Sequence, residues 1–367
     1  MLRSLDPPES MKIVSIVGAR PQFIKAAPLG RALREKHHEI LVHTGQHYDT
    51  GMSGIFFEEL DLPQPDVNLG VGSGPHGWQT AKMLAGLEEL LNKERPDWVL
   101  VYGDTNSTLA GALAASKLNL SLAHVEAGLR SFDRSMPEEI NRRLTDHCAQ
   151  LLLCPTQTAV DNLASEGIRE GVHLIGDVMC DALRHFLPRV DQKKVLARFE
   201  LAAGEYVLAT IHRPANTDQR ETLAAVLDCL AASRWPVLLP AHPRTREALQ
   251  GFGLATPAIV RLVEPLSYLQ MLALERNARA IVTDSGGVQK EACMLGVPCI
   301  TLREETEWVE TVQAGWNSLV GHDPQKAAYA LTQPRPAGPA PALFGDGLAS
   351  PRIVALLESA TPPATRR

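Results

Sequence analysis

The first information in this 367-residue sequence lies in what is missing. No apolar run approaches the roughly 20 residues needed to span a bilayer, so a soluble, cytoplasmic protein with no membrane partner is expected. The six cysteines (Cys148, Cys154, Cys180, Cys229, Cys293, Cys299) form no C-x-x-C pair and lie mostly in apolar stretches. That excludes a disulfide frame or zinc site and predicts buried free thiols. The twelve histidines include no H-E-x-x-H pattern, so no metal is expected; His37 and His38, at a charged helix end, read as solvated. Charge of one sign is absent too. A net charge of −6 and a pI near 6.1 give no nucleic-acid surface and no polybasic segment. The first ten residues, with Pro7, Pro8 and two acids, read as neither signal nor transit peptide. Gly70-Val71-Gly72-Ser73-Gly74 fails as a dinucleotide fingerprint, because Pro75 stands at the third glycine and no strand is expected before it. Neither a nicotinamide nor any other cofactor is expected.

What is present is a long alternation of strands and helices, in a chain long enough for two domains. Lys12 to Val17, Ile40 to His43, Trp98 to Tyr102, Leu120 to Val125, Leu151 to Cys154 and Val172 to Ile175 read as strands. Helices are expected over Ser53–Leu60 and Thr80–Glu94. A charged helix from Asp181 to Glu200 leads to a second series: Tyr206 to Ile211, Val237 to Leu239, Ile259 to Leu262, Ala280 to Val282 and Val297 to Ile300. The expected fold is α/β, two Rossmann-like domains facing a central cleft. The first spans 11–180 and the second 181–347. A Pro-rich linker runs from Pro334 to Pro341, and a last helix over 350–360 is expected to cross back to the first domain.

Chemistry-bearing residues gather where these strands end. Gly18-Ala19-Arg20-Pro21 follows the first strand as a turn into a helix, with Lys25 one turn on. Helix-start amides and two cations in such a place suit a diphosphate. Asp104 (in G-D-T-N-S-T), Glu126 (in H-V-E-A-G-L-R) and Glu138 (in M-P-E-E-I-N-R-R) each come just past an apolar run, interleaved with Arg130, Arg142 and Arg143. Three acids placed so are either helix-start residues favoured by the dipole or an acidic crevice. In the second half His212-Arg213 and His242 follow strands. Thr283-Asp284-Ser285-Gly286-Gly287-Val288-Gln289-Lys290-Glu291 reads as strand, glycine turn and helix start. Ser285, Gly286 and Gly287 suit a phosphate and Glu291 suits ribose hydroxyls, the alternative being a plain helix cap.

At these residues the sequence closely resembles the non-hydrolysing UDP-N-acetylglucosamine 2-epimerases, which have the two-domain fold of GT-B glycosyltransferases. The matching runs are G-A-R-P-Q-F-I-K, H-T-G-Q-H-Y-D, G-D-T-N-S-T, H-V-E-A-G-L-R, P-E-E-I-N-R, I-H-R-P-A-N, T-D-S-G-G-V-Q-K-E-A and T-L-R-E-E-T-E, from Lys12 to Ser350 in family order. The resemblance implies that Arg20 and Lys25 bind phosphates and that Ser285, Gly286 and Glu291 hold the UDP moiety. It implies Asp104, Glu126, Glu138 and His212 as catalytic positions, with Arg142 beside them, and a homodimer acting on a UDP-sugar. Gln46, Arg213 and His242 match a second, activating site of some members, but Asp49 and Trp78 replace a glutamine and an arginine there. Trp308-Val309 likewise replaces the R-P of better-known members.

Inverting C2 of an N-acetyl sugar without a redox cofactor implies elimination. A carboxylate removes H2 as UDP leaves C1, and UDP adds back after protonation from the other face. The alternatives are a GT-B glycosyltransferase, a hydrolysing epimerase, an idle UDP-sugar sensor, or a 2-epimerase of UDP-2,3-diacetamido glucuronates. The last would place Arg130, Arg134 or Arg303 against a C6 carboxylate.

Overall fold

The computed structural model describes residues 10–46 and 57–360. Asp49 and most of the helix expected over Ser53–Leu60 fall outside these residues. The chain forms two compact units, Met1–His185 with Phe344–Arg367, and Phe186–Leu343.

The N-terminal unit is built on a seven-stranded parallel sheet in the order β3-β2-β1-β4-β5-β6-β7. The strands are β1 (Lys12–Val17), β2 (His38–His43), β3 (Val67–Asn68), β4 (Trp98–Tyr102), β5 (Leu122–Val125), β6 (Leu151–Cys154) and β7 (Val172–Leu174). Central strands are apolar on both sides because helices cover both faces. Val14, Ile16, Val42, Val99 and Val101 pack against Met83, Leu87 and Leu91 of the helix His76–Glu94 and Ala110 and Ala114 of the helix Asn106–Lys117. The last helix, Ala349–Ser359, packs on the helix Arg20–Arg34. Asp181 caps it, accepting from the amides of Ala349 (3.0 Å) and Ser350 (2.7 Å).

The C-terminal unit has a six-stranded parallel sheet, β10-β9-β8-β11-β12-β13. Its strands are β8 (Val207–Thr210), β9 (Val237–Pro240), β10 (Val260–Val263), β11 (Ala280–Thr283), β12 (Cys299–Thr301) and β13 (Asn317–Leu319). Val207, Ala209, Leu239, Val282 and Ile300 form its core with Val226 and Leu230. Because every strand pair in both units is parallel, the strand-to-helix loops of each unit gather at one edge of its sheet. That topology brings the sequence motifs together within each unit.

Four expectations are corrected. The charged helix Asp181–Glu200 is three pieces: Val178–Phe186, a 3₁₀ turn Leu187–Arg189, and Gln192–Arg198 with Asp191 as its cap. Pro188 supplies no amide hydrogen and ends the first piece. A short strand, β3, does precede Gly70, paired to Val42 and His43. His37 is buried, its Nε2 3.2 Å from Glu358, because the last helix covers the turn that was read as solvated. The edge strand β13 was not expected, since Asn317-Ser318-Leu319 is too short and polar to show an apolar run. The four cysteines Cys154, Cys229, Cys293 and Cys299 are buried and all six are free. Among the described residues no helix is long and apolar enough to cross a membrane.

Candidate functional site

In the N-terminal unit the chain turns sharply after β4 and β5. Gly103 has φ +62°, and a Cβ there would lie 3.1 Å from Lys25 Nζ and 3.2 Å from Glu126 Oε2. Glycine is therefore required both by backbone conformation and by the ion pair above it. Lys25 and Glu126 are joined through Nζ and Oε2, with side chains only 11% and 6% exposed. Glu126 itself sits at φ +73°, a conformation that strains a residue with a side chain. Its amide and that of Ala127 both donate to Leu153 O, at 3.1 and 3.2 Å, so β6 holds it there.

Asp104 follows Gly103 and pairs through Oδ2 with Arg142 Nη2. Arg142 also reaches Glu139 at 3.3 Å through Nη1. Asn141 Nδ2 donates to Asp104 O (3.0 Å), tying the helix Pro137–Cys148 to this turn. Glu138 stands exposed in the first turn of that helix, whereas neighbouring Glu139 is buried and accepts from Ser131 N at 2.9 Å. The remaining polar residues of G-D-T-N-S-T do structural work. Thr105 caps the following helix, Ser107 donates to Gln46 Oε1 (2.7 Å), and Thr108 Oγ1 donates to Tyr102 O (2.7 Å).

The loop before the helix Arg20–Arg34 differs from a backbone phosphate cradle. The amides of Gly18 and Ala19 donate to Gln22 Oε1 at 2.8 and 3.0 Å, and Gln22 Nε2 donates to Tyr102 O at 2.8 Å. A buried glutamine uses up the loop amides, so the side chains of Arg20 and Lys25 are what this loop offers an anion. Gln46 is 9% exposed and its carbonyl is committed to Ser107.

In the C-terminal unit the organising residue is one that sequence reading left without a role, Asp284. It is fully buried and accepts from the amides of His212 (3.0 Å) and Arg213 (2.9 Å), from Asn216 Nδ2 (3.0 Å), and meets His212 Nδ1 at 3.0 Å. Burial alone would raise its pKa, but the His212 hydrogen bond and charge together with the two amides hold it below the usual carboxylate value. Asp284 thus fixes the ring of His212, whose side chain is 43% exposed. The His242 ring lies 6.1 Å from it and accepts from Arg244 N through Nδ1, capping the helix Pro243–Gly251.

Ser285 is the N-cap of the helix Gly286–Met294, accepting from Val288 N at 3.5 Å. A Cβ on Gly286 would meet Glu307 Oε1 at 2.2 Å, whereas at Gly287 it would meet only Ser285 Oγ at 3.8 Å. Glu307 is held by Arg303 Nη1 at 2.9 Å, with Arg213 Nη2 3.9 Å away. Glu291 is buried one turn into the helix, and beside it lies Glu275. Burial, and then the Glu291 charge, push the Glu275 pKa well above its ordinary value. The substitution Trp308-Val309 also finds a physical setting: Trp308 is 2% exposed and carries the Lys290 ammonium 4.2 Å from its ring.

Two cations considered for a sugar carboxylate are already engaged. Arg130 donates to Glu166 (2.9 and 2.8 Å), Asp146 (2.7 Å) and Leu129 O (2.6 Å), and Arg303 is paired with Glu307. Arg134 is exposed.

The sequence profile of the family described as UDP-N-acetylglucosamine 2-epimerase matches residues 31–358. A UDP-N-acetylglucosamine 2-epimerase homolog of Methanococcus maripaludis is 52% identical over 95% of this chain and all of its own length. A UDP-2,3-diacetamido-2,3-dideoxy-D-glucuronate 2-epimerase of Pseudomonas aeruginosa is 49% identical, covering 85% of this chain and 88% of its own. The crystal structure of the Methanocaldococcus jannaschii UDP-GlcNAc 2-epimerase with UDP-GlcNAc and UDP superposes with a TM-score of 0.89 at 45% identity, covering 95% of this chain and 100% of that one. With the fold, the strand-end residues and these likenesses in agreement, the chain belongs to the UDP-N-acetylglucosamine 2-epimerase family.

Proposed function

We propose that this protein is a non-hydrolysing epimerase that interconverts UDP-N-acetylglucosamine and UDP-N-acetylmannosamine. The observation that carries the reading is the pair of carboxylates at adjoining strand ends, Glu126 on Lys25 and Asp104 on Arg142. A carboxylate held by a cation is available as a base, and C2 inversion requires a proton to leave and return. In the proposed anti elimination, a carboxylate takes H2 and the C2–H electron pair becomes the C1–C2 double bond. The C1–O bond breaks with its electrons passing to the departing diphosphate. Re-addition of UDP to the glycal, with protonation at C2 from the opposite face, completes the inversion.

Acid–base work is assigned to Asp104, Glu126 and Glu138 of the N-terminal unit, and to His212 of the C-terminal unit, which Asp284 orients. Arg20, Lys25 and Arg142 are assigned to the negative charge that grows on the leaving diphosphate. Arg213, Ser285, Gly286, Gly287 and Glu291 are assigned to the UDP moiety. Gln46 and His242 are weaker candidates for an activating site, since Gln46 already serves Ser107 and His242 a helix start. A cytoplasmic homodimer is the expected working form.

The test is isotopic. In D₂O the enzyme should place deuterium at C2 of UDP-N-acetylglucosamine, and ¹⁸O in the C1–O bond should scramble into the diphosphate. Proton exchange without scrambling would overturn elimination. Release of free UDP and sugar would identify a hydrolysing enzyme, and no change without an acceptor a glycosyltransferase. The diacetamido glucuronate is a second reading because of the Pseudomonas relative. Exchange with that sugar alone would transfer the substrate assignment to it. The engagement of Arg130 and Arg303 within the fold leaves Arg134 as the remaining candidate for its carboxylate.

A further inference from the structure

Beneath the Gly103–Asp104 turn lies a polar cluster to which the reaction above gives no role. His124, on β5 two residues before Glu126, is fully buried. One ring nitrogen, Nε2, is 2.7 Å from Gly103 O and the other, Nδ1, is 2.7 Å from Asp146 Oδ1. A carbonyl oxygen cannot donate. The other donors to Asp146, Arg130 Nη1 at 2.7 Å and Gly128 N at 3.2 Å, reach its second oxygen, Oδ2. Its carboxyl is held below the usual range, burial being overcome by His124 and Arg130. The ring thus bridges a backbone carbonyl and a buried carboxylate, one contact through each nitrogen.

We propose that His124 is a positioning residue whose Nε2–H holds the Gly103 carbonyl while Asp146 fixes the other side of the ring, and that it thereby sets the Gly103–Asp104 turn. Gly103 is then pinned at both ends, its amide on Val125 O at 2.9 Å and its carbonyl on the ring. That peptide orientation sends Asp104 towards Arg142 and leaves room above Gly103 for Lys25 and Glu126. The charges around the ring come from every element packed near it. Asp146, Glu139, Arg142 and Arg143 lie on the helix Pro137–Cys148, Arg130 on the loop after β5, and Glu166 beyond the next helix. His147 reaches Glu166 at 3.8 Å.

The proposal rests on the acid–base reading of Asp104 and Glu126, whose own failure would show separately in their amide variants. Two substitutions and one measurement on the unaltered protein test it. His124→Phe, which removes both ring nitrogens, should lower kcat by roughly 10²-fold, the usual effect of a displaced reacting group, with KM changed little. His124→Gln keeps a donor for Gly103 O and should recover roughly a tenth of wild-type kcat, on the same scale. Activity lost only in proportion to unfolded protein, with the Gln variant no better than the Phe variant, would reduce His124 to a structural role and overturn the proposal. Should neither variant fold, nitrogen-15 NMR of the histidine-labelled wild-type protein decides. One buried ring should keep an Nε2–H proton slow to exchange with solvent; absence of any such ring would overturn it.

Discussion

The two units are built on the same parallel-sheet plan, yet they hold their charged groups in opposite ways. In the N-terminal unit the acids face side-chain cations: Glu126 and Asp104, at strand ends, meet Lys25 and Arg142, and Asp146 meets Arg130. In the C-terminal unit the corresponding acid, Asp284, is held by two backbone amides as well as by His212 and Asn216, Ser285 is a helix cap, and Glu275 is driven towards its neutral form. Ion pairs between side chains can exchange partners or protons when a ligand arrives. Acceptors fixed by backbone hydrogen bonds cannot, because moving them breaks the fold locally. In the function proposed above, most of the proton transfer falls to the first unit, with His212 contributed by the second, and most of the grip on the nucleotide falls to the second.

The sharpest way to break that division is to neutralise one acid in each unit. Glu126→Gln and Asp104→Asn should each lower kcat by ~10² to 10³-fold while leaving UDP affinity nearly unchanged by calorimetry. Near wild-type turnover in both would end the argument for chemistry in the first unit. Asp284→Asn should cost about tenfold in kcat, less than the acids themselves, because it unsettles the His212 ring without removing it. It should also lower Tm, since an amide cannot accept at every place where the carboxylate does. Glu291→Ala should weaken UDP binding by about tenfold, roughly 1.4 kcal/mol, with kcat at saturation little altered. A fall in kcat at unchanged affinity would place Glu291 with the chemistry instead.

The smallest effect concerns Glu275. Its pKa is raised in the fold above the ordinary 4.5, so the folded protein binds more protons than the unfolded chain between those two values. Stability must therefore decline as pH rises through that window. Glu275→Gln imitates the neutral acid and removes the decline, so its Tm gain over wild type should be larger at pH 8 than at pH 5. An equal difference at both values would mean that Glu275 is ionised in the fold.

Much of this was legible from sequence where apolar period and turn residues agree. The β4 strand is a continuous apolar run, β1 and β5 are apolar apart from Lys12, Ser15 and His124, and Gly103, Asp104 and Glu126 stand directly after two of the three. The roles of His124 and Asp284 were not legible, although both lie inside motifs that were noticed. Their importance comes from partners 22 and 72 residues away, and pairing at that distance leaves no periodic trace. Arg130 shows the converse. Its position in H-V-E-A-G-L-R suggested a ligand contact, but burial against Asp146 and Glu166 makes it part of the scaffold. The break in the helix after Asp181 turns on Pro188 alone, which the charge pattern of the segment does not reveal.

The strained backbone at Glu126 also bears on how this enzyme could be engineered. A left-handed residue with a side chain holds roughly 1 to 3 kcal/mol of local strain, and glycine at the same φ of +73° would relieve it. A library sorted only for survival of heating would accordingly enrich glycine at position 126, and the survivors would have lost the acid at which the reaction is proposed to occur. Selection for robustness and selection for turnover pull this single codon in opposite directions, so any thermostabilisation campaign on this scaffold has to keep position 126 out of its library.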